Sequence, residues 1–169
     1  MLNNAALLAM VKKTVKVTQI ACSGNTTWYV TKSGELYGCG YGSSGQQGSG
    51  STDKVNTFTK RADNVAQVVC SDNTTWYVTN SDELYGCGKG VSGQQGSGST
   101  DNVRTFTKRA DNVAQVAQVA QVACSGDDYY NQTTWYVTNS GELYGCGSGS
   151  YGQQGNESTA NVNTFTKRP

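Results

Sequence analysis

One pattern is written three times along these 169 residues. A chain built that way buries its apolar surface by stacking similar units against one another. The first copy reads Cys22-Ser23, Thr26-Thr27-Trp28-Tyr29-Val30-Thr31, Gly34-Glu35-Leu36-Tyr37-Gly38-Cys39-Gly40, Gly45-Gln46-Gln47-Gly48 and Thr57-Phe58-Thr59-Lys60-Arg61. Its landmarks return at Trp76, Cys87, Gly93 and Phe106, and again at Trp135, Cys146, Gly152 and Phe165. Residues 22–69 and 70–117 agree at 40 of 48 positions, which indicates recent duplication. The third copy carries two insertions, a stutter within Val113–Cys124 and the segment Gly126–Gln132.

Within a copy the periodicity is that of strands. Val65–Cys70 is nearly continuous in apolar residues, and Thr74–Thr79 is a run of β-branched and aromatic ones. Ser33-Gly34 or Ser81-Asp82 then supplies a tight turn. Glu83–Gly88 reads as a third strand, a loop rich in Gly, Ser and Gln follows, and Thr105–Arg109 makes a shorter fourth. Four short strands with frequent turns, repeated at a period near fifty residues, predict an all-β chain of β-propeller blades. Each blade is expected to have four antiparallel strands, with three blades per chain. The repeats fall at about 15–62, 63–110 and 111–169. Residues 1–14 form a separate N-terminal segment for docking or a short helix, since Ala5–Val11 is apolar and no signal-peptide order precedes it. Leu, Ile, Val and Phe make up only 27 of 169 residues, a level associated with disorder. The net charge of +1 lacks the other half of that signature.

These repeats resemble those of the regulator of chromosome condensation family. Ala21-Cys22, Gly34-Glu35-Leu36-Tyr37, Gly40, Gly45-Gln46 and Gly48 carry the likeness, with their counterparts in the other copies. The resemblance implies propeller blades, and by analogy two activities: guanine-nucleotide exchange on a small GTPase and chromatin docking. The family's third-strand tryptophan is Cys39, Cys87 or Cys146 here, and its loop leucine is Gln47, Gln95 or Gln154. No residue carries either activity across. Family rings have seven blades and closed propellers need at least about four. Three blades would therefore close a ring only by oligomerisation, most simply as two chains making six.

The function classes narrow by elimination. There is no histidine, so neither a Ser-His-Asp triad nor an imidazole metal site is available. The acids are scattered, with Glu35, Glu83 and Glu142 at matching turn positions, one per repeat. No catalytic residue, cofactor or metal is expected, and the chain is read as non-enzymatic. Near-neutral charge argues against nucleic acid, and no apolar run reaches membrane-spanning length. The six cysteines, two per repeat and without a C-x-x-C, are expected to be packed thiols in a reducing, cytoplasmic compartment. Asn-x-Thr matches such as Asn25–Thr27 suit turns.

A protein-binding module is the leading reading, with another protein or the chain itself as partner. A self-assembling unit that forms rings or filaments through open blade edges is the alternative. Two sets of residues are candidates for contact. The first varies while its framework repeats: Tyr41, Lys89, Arg104 and Tyr151, joined by Tyr129 and Tyr130 of the insertion. The second is the cation pair closing each copy: Lys60-Arg61, Lys108-Arg109 and Lys167-Arg168.

Overall fold

The computed structural model describes residues 15–71, 73–114, 122–125 and 132–169. The stretch Ala5–Val11, most of the stutter and the pair Tyr129 and Tyr130 lie outside those residues. Among them are twelve strands in three four-stranded antiparallel sheets. The first holds β1 (Val17–Ser23), β2 (Thr26–Thr31), β3 (Leu36–Gly40) and β4 (Val55–Ala62). The second holds β5 (Val65–Ser71), β6 (Thr74–Thr79), β7 (Leu84–Gly88) and β8 (Val103–Ala110). The third holds β9 (Val122–Ser125), β10 (Thr133–Val137), β11 (Leu143–Gly147) and β12 (Val162–Lys167). Each sheet is a meander in chain order, as expected of a propeller blade.

The fourth strand is longer than its Thr-Phe-Thr-Lys-Arg core suggests. β4 and β8 run for eight residues against five in β3 and β7. Two register shifts per pair absorb the difference, one at Leu36/Tyr37 and one at Gly38/Gly40. Extra residues that bulge a strand also increase its twist.

Alternation along the strands gives each blade two distinct apolar faces. One carries the tryptophan, Val30 and Leu36 in the first blade or Trp76, Val78 and Leu84 in the second. The other carries two tyrosines stacked across strands, Tyr77 on Tyr85 at 5.0 Å or Tyr136 on Tyr144 at 5.1 Å. The tryptophan face of one blade packs on the tyrosine face of the next. Phe106 bridges the first seam, edge-on to Trp28 at 5.8 Å and to Tyr77 at 4.8 Å. Phe165 repeats this between Trp76 and Tyr136. Trp28 and Trp76 are completely buried.

The first strands of neighbouring blades draw together, and the glycine-rich loops after β3 and β7 each fill the gap beside the next blade's fourth strand. Ser49 pairs with Thr105 and Ser97 with Thr164. The Gly50 N–H donates to the Arg104 carbonyl at 2.8 Å, and the Gly98 N–H to that of Asn163 at 2.8 Å. Gly48 has φ +60 and lies so close to Phe106 that a Cβ would enter the ring. The Gly-Gln-Gln-Gly loops use their glutamines to tie the turn to itself. Gln94 Oε1 accepts the Ser92 N–H at 2.8 Å, and Gln95 Nε2 donates to the carbonyls of Cys87 and Lys89. Gln94 Nε2 also reaches the next blade, donating to Gln132 Oε1 at 3.0 Å.

The paired register accounts for the thiols. Cys22 and Cys39 both lie opposite Thr27, on strands either side of β2. Two strand spacings are about 9–10 Å, beyond the reach of a disulfide. Cys87 and Cys146 are buried, Cys39 and Cys70 half-buried and Cys22 exposed. The expectation of packed thiols thus holds for the inner seams and fails at Cys22 on the first strand of the end blade.

Burial pushes the Cys87 and Cys146 thiols up, and it pushes the Tyr77 phenol up and that of Tyr136 up to about 12. A raised folded-state value means that the contribution is fully present below the unfolded value, about 8.5 for cysteine, and is lost progressively as pH climbs from there until it passes the folded one. The urea midpoint is therefore expected to fall steadily between pH 8 and pH 10. Cys87→Ala and Cys146→Ala should flatten the early part of that fall; a wild-type midpoint constant over the range would contradict it.

Candidate protein-interaction surface

The strand directions put the two candidate sets at opposite ends of the blades. β3 runs from the turn holding Glu35 to Gly40, and β4 returns from Val55 to Ala62. The long loops after β3, β7 and β11 therefore share one end with the β1–β2 turn. The cation pairs share the other end with the β2–β3 turn. Ser125 pairs with Thr133 at the loop end, so the strand ends flanking Tyr129 and Tyr130 lie on the loop side.

The cation pairs do not form a free basic surface. Lys60 Nζ sits 3.0 Å from Glu35 and 2.6 Å from Asp63. Lys108 sits 2.6 Å from both Glu83 and Asp111, and Lys167 sits 2.6 Å from Glu142. Contact with Asp63 and then Glu35 pushes the Lys60 ammonium up, and Lys60 holds the Glu35 carboxyl below its usual range. These pairs are solvent-exposed and contribute little stability. The turn glutamate of each repeat is thus a counter-ion of the lysine twenty-five residues later.

The arginines turn the other way. Burial holds the Arg61 and Arg109 guanidiniums below their usual range, and each interacts electrostatically with a thiol of the next blade, Cys87 or Cys146. Arg168 lies over the Trp135 ring at 6.0 Å and donates to Gln154 Oε1 at 3.1 Å. A two-residue basic motif thereby divides into an ion-paired surface lysine and a packed arginine.

At the loop end the variable positions separate as well. Tyr151 is 81% exposed and Tyr41 47%. Arg104 is exposed, with its backbone held by the preceding blade's loop. Lys89 is only 2% exposed, which removes it from a contact surface. It follows β7 at the position of Tyr41 and Ser148, where its carbonyl accepts from Gln95. Sequence variation at that position gave no sign of burial, because the side chain's direction depends on a loop closed by Gln95.

Comparison with known proteins agrees with this architecture. Residues 17–46 match the family model of the regulator of chromosome condensation (RCC1) repeat. None of the curated protein sequences compared with the chain matches it. Among solved structures, human WBSCR16 superposes with a TM-score of 0.72 at 25% identity, over 95% of this chain and 39% of that one. Prp20p from Saccharomyces cerevisiae, described with its binding properties to Gsp1p and histones, gives 0.72 at 21% identity, over 89% and 38%. Yeast RCC1 (Prp20) bound to Kap60 gives 0.71 at 19% identity, over 92% and 38%. The chain spans about two fifths of the length of these structures.

Proposed function

We propose that this chain of RCC1-like repeats is a non-enzymatic protein-binding module that meets its partner with the loop end of its blades. The observation that carries the reading is the pair Tyr41 and Tyr151, exposed on loops whose frames are closed by buried glutamines. Tyrosine presents a large contact area at low entropic cost, and rigidly framed loops are suited to recognition. That structures of this fold are described with protein partners supports the class of function. The partner is a protein and the setting the cytoplasm, which suits cysteines placed too far apart to pair within a blade.

The test uses residues the chain already tolerates. Ser44 and Ser92 occupy the place of Tyr151, and Ser148 that of Tyr41. A Tyr41→Ser, Tyr151→Ser double variant should keep the wild-type thermal midpoint and lose about tenfold or more in affinity for a protein recovered by affinity capture. Equal affinity at equal stability would refute the loop-end reading.

A second reading, self-assembly through the ends of the blade stack, is favoured by a different observation. The two terminal blades expose apolar faces that are buried at the two internal seams. Phe58 is 47% exposed and Leu143 37%, whereas Leu36 and Leu84 are completely buried.

A further inference from the structure

The two end faces are not merely apolar; they are the two halves of one seam that the chain already forms twice. On the last blade, Trp135, Val137 and Leu143 are partly or openly exposed, where their counterparts in the other blades are buried. A Cβ at Gly155 or Gly152 would meet nothing within 4 Å, whereas one at Gly48 or Gly96 would strike Phe106 or Phe165. The last blade thus holds a vacant phenylalanine seat. On the first blade, Phe58 packs edge-on to Tyr29 at 4.9 Å, the internal geometry of Phe106 on Tyr77, but among the described residues no tryptophan covers its outer side. On the same blade a hollow of about 510 Å³ is lined by Val15, Lys32, Glu35 and Tyr37, the last stacked on Tyr29. At the internal seam the corresponding residues Glu142 and Tyr144 share their hollow with Arg109 and Ala110 of the preceding blade.

We propose that the first blade of one copy docks on the last blade of a second copy, seating Phe58 against Trp135 and Gly155. The occupant is a second copy because the same chain carries both halves of the repeated contact. The contact is heterologous, so it yields a closed ring if the rotation closes and an open run if it does not. This rests on the self-assembly reading above and names its site.

The experiment is mass measurement by sedimentation across a dilution series of the full chain. Wild-type protein should rise above the 17.9 kDa of one chain as concentration increases. Two variants leave the single chain undisturbed. Phe58→Asp changes a half-exposed side chain. Gly155→Asn places a residue that tolerates φ +60 into open space, yet blocks the seat. Each alone should weaken association at least about tenfold, with an unchanged strand signal in circular dichroism. Mixed together they should recover a two-chain species, because each supplies the half that the other lacks.

A wild-type chain that stays monomeric overturns both this contact and self-assembly, and gives the ends to a different partner. Wild-type association that survives both variants, or a mixture that fails to recover, leaves self-assembly standing and overturns the Phe58 seat.

Discussion

Trp76→Ala should lower the unfolding free energy by about 3–5 kcal/mol, the cost of emptying a fully packed indole site. The side chain is completely buried and shared between blades. It packs with Val78 and Leu84 of its own blade and Val113 and Tyr136 toward the next, and Phe165 meets its ring edge. Removing it leaves a cavity walled by two rigid sheets, which limits collapse. Trp135→Ala makes the internal control. The same residue in the same strand register has no following blade packed on it among the described residues and is partly exposed, so its loss should cost less than half as much. Urea titration at a concentration where the chains are monomeric gives both values. Equal costs would mean that the seam contributes nothing beyond the blade's own packing.

Most of this architecture was legible in the chain. The third copy made the strand boundaries a matter of alignment, and runs such as TTWYVT carry no helical period. What was not legible depends on register. That Trp76 and Tyr77 serve different neighbours follows from alternation only once the stacking partner of each face is known. That Lys60 belongs to Glu35 follows from Tyr37 lying opposite Lys60, which a bulge shifts by one residue from simple counting. Lys89 misleads for a related reason: its variability suggests exposure, but the side chain is buried. The candidate surface therefore shrinks to Tyr41, Arg104 and Tyr151 among the described residues. The lean aliphatic content also finds its explanation here. The seams are built from Trp, Tyr and Phe with buried Gln, so few leucines are needed.

The glycine opposite each tryptophan was the feature least visible in the sequence, because a strand reading of Glu83–Gly88 does not say which residue lies across from it. Trp76 pairs across strands with Gly86, and its ring lies flat over that residue. A Cβ at Gly86 would stand 2.6 Å from Cη2, well inside the 3.5–4.0 Å at which carbons attract. Gly86→Ala should therefore destabilise by about 3 kcal/mol, at the upper end for one added methyl, because the indole it displaces is locked between blades. The coupling is the sharper prediction. In a Trp76→Ala background the same methyl finds empty space, and alanine orders a strand at lower entropic cost than glycine. Gly86→Ala should then be neutral or slightly stabilising, a coupling energy of about 2–3 kcal/mol in the double-mutant cycle. At Gly145 the cost should be smaller, since Trp135 has room to swing outward on an uncovered face. Additive effects at Trp76 and Gly86 would show that the methyl is accommodated by backbone movement and not by the indole.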